Sequence, residues 1–160
     1  MHNRLNTRTF KSSNPDDTCA MARRLGALLN AGDVLLLSGD IGAGKTHFAR
    51  CLILSLLPQP EDVPSPTYTI VQTYPGPNCE IWHADLYRLP GPNEVIELGL
   101  IDAFDTAICL IEWPDRLGDL APPLALKLDF VLDGDEDARK VTLTWQDEGW
   151  QARLMEALND

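Results

Sequence analysis

Residues 39–46 read Gly-Asp-Ile-Gly-Ala-Gly-Lys-Thr, a match to GxxxxGK[ST] without a mismatch. The flanks constrain the fold as much as the match does. The apolar run Val34-Leu35-Leu36-Leu37 precedes it, and a helix-like stretch over 46–57, stopped by Pro58, follows. Strand, tight turn and helix in that order are the first half of a βαβ unit. Glycines at 42 and 44 let successive main-chain N–H groups curl inward into a nest for an anion. The nest opens at a helix N-terminus, whose partial positive charge adds to the attraction. Ile41, Gly42, Ala43 and Gly44 then cradle phosphate oxygens, Lys45 reaches the β- and γ-phosphates, and Thr46 offers its hydroxyl to Mg²⁺. The expected ligand is a nucleotide.

The rest of the chain fits the same architecture. The spacing of Met21, Leu25, Leu28 and Leu29 predicts a helix over 14–29, with Asn14 as cap, Pro15 in its first position and Asp16 and Asp17 near its positive end. The run at 34–37 does not alternate, which suits a strand covered on both faces, as in a parallel sheet. A second such run at 107–111 predicts another buried strand. Further strands are expected at 67–74 and 81–84 and short helices at 93–100 and 150–158. A hairpin is expected between 124–132 and 141–145, across Asp133-Gly134-Asp135. The sum is one α/β domain over 1–160. Its central sheet is mostly parallel and flanked by helices, a C-terminal antiparallel hairpin is added, and residues 1–12 are a flexible lead-in.

Twenty-four acidic against thirteen basic residues give a net charge of −11. Phosphate backbones need a basic face, so the chain is not expected to hold DNA or RNA by itself, nor an anionic membrane surface. No run approaches the ~20 apolar residues of a membrane span, and the polar N-terminus has no secretory pattern. The four cysteines, Cys19, Cys51, Cys79 and Cys109, form no CxxC pair. They read as neutral thiols in a reducing cytosol.

A phosphate loop needs a further acid to organise metal or water. In open α/β sheets that acid sits where strands end, beside the ligand. Two segments qualify: 107–111 runs into Glu112, and 81–84 runs into Asp85. For Glu112 the alternative is a surface carboxylate; for Asp85 it is a cap on the next turn. Ser65-Pro66-Thr67-Tyr68-Thr69 is either a γ-phosphate-sensing segment or a turn entering a strand. Trp113 and Tyr68 suit base stacking or core packing. His83 reads as a structural histidine and His47 as a helix-surface residue.

Together these segments resemble one family. SPTYT at 65–69, HADLYRL at 83–89 and IEWP at 111–114, in that order behind GDIGAGKT, look like the bacterial TsaE proteins over roughly 14–117. The resemblance implies a small cytoplasmic Mg²⁺-dependent ATPase. It would be needed, with TsaB and TsaD, for the threonylcarbamoyl modification of the adenosine beside the tRNA anticodon. Its contact with tRNA would be only indirect, through the TsaB–TsaD complex. Carried over by position, Lys45 is the loop lysine, Thr46 the magnesium hydroxyl, Glu112 the second magnesium carboxylate and Asp85 the acid of the HxDLYRL segment. Trp113 stands beside the nucleotide, Ser65 and Thr67 form a switch-like segment, and Asn14 approaches the base. The departures are Gln72-Thr73-Tyr74 in place of a more acidic triplet, and an acidic DGDEDARK stretch. Within that stretch Arg139 is the candidate for a basic residue usual in the family.

The expected chemistry is ATP hydrolysis with Lys45, Asp85 and Glu112 in catalytic roles. Between Arg50 and Arg139 the only Lys or Arg residues are Arg88, Arg116 and Lys127, so slow turnover alone and faster turnover with a partner is expected. The rivals are a small-molecule kinase, which needs a more basic lid, a GTP-dependent switch, which needs an NKxD segment absent from this sequence, and a non-enzymatic adaptor.

Overall fold

The computed structural model describes residues 5–40, 42–58, 70–134 and 137–158. Its elements in chain order are β1 (Asn6–Ser12), α1 (Pro15–Gly26), β2 (Val34–Gly39), α2 (Lys45–Leu56), β3 (Val71–Pro75), β4 (Glu80–Asp85), α3 (Pro92–Glu97), α4 (Leu100–Thr106), β5 (Ile108–Glu112), a 3-10 helix (Pro114–Leu120), β6 (Leu126–Leu132), β7 (Arg139–Trp145) and α5 (Glu148–Leu158).

The strands make one sheet in the order β1-β7-β6-β2-β5-β4-β3. Pairs β6–β2, β2–β5 and β5–β4 are parallel, whereas β1–β7, β7–β6 and β4–β3 are antiparallel. The sheet is therefore mixed, and the expectation of a mostly parallel one is corrected. Hairpins close both sides of a four-stranded parallel centre, because β3 and β4, like β6 and β7, are joined by short turns that only antiparallel neighbours allow.

The alternation of side chains explains the two apolar runs. Leu35 and Leu37 of β2, with Leu110 of β5, face Met21 and Leu25 of α1, Phe48 and Leu52 of α2, and Trp150 of α5. Val34 and Leu36, with Cys109 and Ile111, face Val95 of α3, Leu100 of α4 and Leu117 of the 3-10 helix. A strand with helices on both faces has no polar face to show, so its sequence is apolar throughout. Each such buried leucine is worth about 2–5 kcal/mol against truncation to alanine.

Several elements differ from the sequence expectation. Residues 6–12 of the expected flexible lead-in form edge strand β1, paired to β7 along its whole length. Its inward positions are mostly polar, so hydrophobic alternation does not reveal it. The helix expected at 93–100 is two helices: Gly99, at φ 81°, ends one and starts α4. Cys19 and Cys51 are joined by a disulfide, with Cα atoms 5.3 Å apart, which corrects the expectation of free thiols at these two positions. Positions 32 apart in sequence meet because α1 and α2 pack side by side. Cys79 and Cys109 are free, and burial raises the Cys109 thiol to about 12. No helix among the described residues is long and apolar enough to cross a membrane.

Gly39 ends β2 at φ 138°, and a Cβ there would lie 2.5 Å from the Phe130 carbonyl oxygen on neighbouring β6. Both strain and clash oppose a side chain. Gly39→Ala is expected to cost about 2 kcal/mol or more in chemical denaturation; an unchanged midpoint would count against this strand end.

Candidate functional site

Three parallel strands end at one edge of the sheet. β2 runs into the glycine loop, β5 ends on Glu112, and β4 ends on Asp85, whose register partner is Glu112. In the loop, Ala43 N–H donates to Asp40 O and Phe48 N–H to Gly44 O, at 3.0 and 2.9 Å. Gly42 and Gly44 sit at φ 84° and 105°. A Cβ on Gly42 would meet nothing within 4 Å, so conformation and not crowding selects glycine there. Ile41 lies outside the described residues.

Arg139 clamps the loop from the other hairpin. From the start of β7 its Nε donates to Ala43 O at 3.1 Å and its Nη2 to Gly42 O at 3.2 Å. These bonds tie the loop's carbonyls to the start of β7. Sequence reading located a basic residue here only loosely, because the hairpin register decides which side chain reaches the loop.

Lys45 is buried at the start of α2, with Nζ donating to Gly39 O and lying 3.8 Å from the centroid of the Trp113 ring. Burial lowers its pKa, and the nearby carboxylates, Glu112 foremost, oppose that shift. Trp113 is the one non-glycine residue among those described with positive φ, 59°. Following Pro114 disfavours the right-handed helical region at Trp113. The ring packs on Tyr87 at 4.8 Å between centroids. Trp113 packs against the core on one side and lines the cavity on the other.

Glu112 is 2% exposed, a depth at which a carboxylate needs partners. It has two. Thr46 Oγ1 donates to Oε1 at 2.8 Å, and Glu112 Oε2 lies 2.7 Å from Nε2 of fully buried His83. A surface carboxylate at that position is excluded. Asp85 is half-buried and accepts from Tyr87 N–H at 3.0 Å, capping the turn, while also lining the cavity beside Glu112. The turn cap is therefore present, on a side chain that also borders the cavity. Burial raises its pKa, and the Glu112 charge raises it further, against the lowering effects of the Tyr87 hydrogen bond, Lys45 and His83.

Asn14 is committed to helix capping: its Oδ1 accepts from Asp17 N–H at 2.9 Å. Its neighbours Pro15 and Thr18 line the cavity instead. His47 bridges the two helix starts through Nε2 and Pro15 O, 3.0 Å apart. Ser65 and Thr67 lie outside the described residues.

A cavity of about 530 Å³ opens over this cluster, walled by the loop glycines, Lys45, Thr46, Asp85, Glu112, Trp113 and Arg139. Its donors to a cation are the Thr46 hydroxyl and two carboxylates. These hard oxygens suit Mg²⁺, which keeps waters and ligand phosphates for most of its shell. Among the described residues no group of three or more His, Cys, Asp or Glu comes together as a self-sufficient metal cage.

A glycine-rich loop between a buried strand and a helix, faced by a carboxylate ending the adjacent parallel strand, belongs here to an α/β protein with a seven-stranded mixed sheet. The family model "Threonylcarbamoyl adenosine biosynthesis protein TsaE" matches residues 12–141, and the chain belongs to the TsaE family. It is 36% identical over 140 residues to the tRNA threonylcarbamoyladenosine biosynthesis protein TsaE of Rickettsia bellii, covering 88% of this chain and 96% of that protein. To the Bacillus subtilis protein of the same name it is 35% identical, covering 84% of each. The crystal structure of Bacillus subtilis YdiB superposes with a TM-score of 0.77 at 26% identity, covering 98% of this chain and 97% of that one. The TsaE family takes part in threonylcarbamoyladenosine biosynthesis.

Asp85→Asn keeps the acceptor for Tyr87 N–H and removes a charge that burial disfavours. With a folded pKa above the ordinary 3.8, the folded state holds this proton more tightly than the unfolded one. The charge therefore penalises folding at neutral pH, and that penalty vanishes below the unfolded value. The variant is expected to melt higher than the parent at pH 7, with the difference closing as pH falls toward 4. A difference that grows in acid would overturn the assignment.

Proposed function

We propose that this protein is a Mg²⁺-dependent ATPase that serves tRNA threonylcarbamoyladenosine biosynthesis together with the TsaB–TsaD complex, meeting tRNA only through those partners. The observation that carries the reading is the Thr46–Glu112 hydrogen bond. It joins the first turn of the loop's helix to the end of the neighbouring strand, where a phosphate-loop enzyme needs its two metal oxygens. The relatives' names supply the pathway, and the acidic chain, at net charge −11, favours a protein partner over direct RNA binding.

The residues divide the work. The glycine loop, braced by the Arg139 clamp, binds the phosphate tail. Lys45 supplies a cation at the base of the loop. Thr46 and Glu112 offer oxygens to the metal, and Asp85 orders the remaining shell or the attacking water. Mg²⁺, when bound, neutralises charge on the phosphoryl oxygens. Trp113 and Tyr87 form an apolar wall that limits water around the reacting end.

Cations for the transition state are few. Of the arginines lining the cavity, Arg139 is engaged with loop carbonyls and Arg88 is exposed. An arginine supplied from outside can be worth ~10³-fold or more, so turnover should be slow alone and faster in the assembly. A small-molecule kinase would need more basic groups over the cavity than this chain provides.

Lys45→Ala is expected to weaken ATP binding about tenfold or more, as measured by calorimetry, since it removes a charge-assisted contact worth ~1.5–3 kcal/mol. Glu112→Ala should retain nucleotide binding without metal while losing most Mg²⁺-dependent phosphate release. Full turnover in the glutamate variant, or unchanged ATP affinity in the lysine variant, would refute the reading.

A further inference from the structure

His83 has no place in the chemistry above, yet its position is unusual. It sits in the middle of β4, 0% exposed, on the same sheet face as Ile81 two residues before it and Asp85 two residues after it. On adjacent β5 the same face carries Leu110, its register partner, and Glu112. The imidazole is thus embedded in an apolar layer directly beneath the two acids. Its Nε2 lies 2.7 Å from Glu112 Oε2, while Nδ1 has no hydrogen-bond partner among the described residues. Toward a carboxylate acceptor, Nε2 is the donor in this bond.

The two oxygens of Glu112 are consequently held by different groups. Oε2 is tied down from below by His83, and Oε1 meets the Thr46 hydroxyl. Thr46, Glu112 and Asp85 line the cavity, whereas His83 does not. The ring therefore touches neither nucleotide nor cation and acts only through the carboxylate. Without it, Glu112 would lose one of its two hydrogen bonds and keep that from Thr46, while Ile81 and Leu110 beside the ring offer no donor. Its rotamer would be free to swing, or the carboxyl would be left with an unmet charge.

We propose that His83 is a positioning residue for a divalent-cation site: its Nε2–H fixes Glu112 so that Oε1 and the Thr46 hydroxyl stand preset as an oxygen pair for the metal of a bound nucleotide. This rests on the reading that the cavity takes a metal–nucleotide complex. Carboxylate ligands held by a buried hydrogen bond lose roughly 10–100-fold in metal affinity when that partner is removed. The role is geometric, since a donor at the right reach should serve as well as imidazole.

The test compares His83→Leu, His83→Gln and His83→Asn in the full chain. Leucine keeps apolar packing and removes the donor. Glutamine carries its amide nitrogen out to the place of Nε2, and asparagine carries it only to the place of Nδ1. Mn²⁺ serves as the probe, with the free ion counted by electron paramagnetic resonance in the presence of saturating ADP. ADP affinity in EDTA and thermal melting are measured alongside. The leucine and asparagine variants should bind Mn²⁺·ADP at least tenfold more weakly in the metal term, with ADP affinity in EDTA within about twofold of the parent. Glutamine should restore most of the loss. Unchanged Mn²⁺ affinity in the leucine variant, or equal losses in all three, would overturn the proposal and leave His83 a packing residue. If the leucine variant does not fold, the glutamine–asparagine contrast decides alone, and its absence overturns the proposal. A parent protein that binds neither ADP nor Mn²⁺ would instead sink the reading of the cavity, and the positioning role with it.

Discussion

Glu112 is a carboxylate buried where charge is costly, and the arrangement of the site follows from how that cost is met. The end of β5 lies between β2 and β4, so the residue there is walled by two strands and the start of α2. A carboxyl group in that position must find donors close by, and the chain brings them from two elements. Thr46 comes from α2, His83 from β4, and Lys45 adds a compensating charge nearby. The glycine loop lies over the same point because β2 is the next strand along. Remove the partners of Glu112 and its carboxyl group is left buried without a donor.

The loop itself depends on support from outside the strand–loop–helix unit. Its main-chain carbonyls are held by Arg139, which belongs to a hairpin about a hundred residues further along. That hairpin also pairs with β2 through β6 and with the N-terminal strand through β7. The mixed sheet thus has a division of labour. Its parallel centre presents strand ends to a common cavity, and an antiparallel flank reaches back to brace the loop. The disulfide between Cys19 and Cys51 adds a further tie, fastening α1, whose first residues line the cavity, to α2.

Trp113 shows how local strain and tertiary position combine. A left-handed backbone conformation costs a bulky residue on the order of 1–3 kcal/mol. It is accompanied here by the Tyr87 ring packed against Trp113 and by the Lys45 ammonium over the indole. The same conformation turns the chain sharply away from Glu112, which leaves the carboxylate at the strand end and not inside a continuing strand.

Much was legible in the residues alone, and for identifiable reasons. GDIGAGKT declares a loop because glycine spacing and a terminal lysine–threonine pair encode local backbone shape. The runs at 34–37 and 107–111 declare strands covered on both faces because nothing polar interrupts them. The acids placed directly after such runs come to lie side by side because strand ends in these sheets meet at one edge. What sequence could not supply were the long-range pairings. Edge strand β1 has too little apolar alternation to announce itself, and its existence depends on β7 being there to pair with it. Whether the sheet is parallel or mixed is settled by which strands become neighbours. The reach of Arg139 to the loop, the bond between His83 and Glu112, and the closeness of Cys19 to Cys51 join positions from 29 to 97 residues apart. A sequence fixes which groups are available and what each stretch of backbone prefers; distance between stretches is set only when the hydrophobic faces on both sides of the sheet close together, because burial is shared among all of them at once.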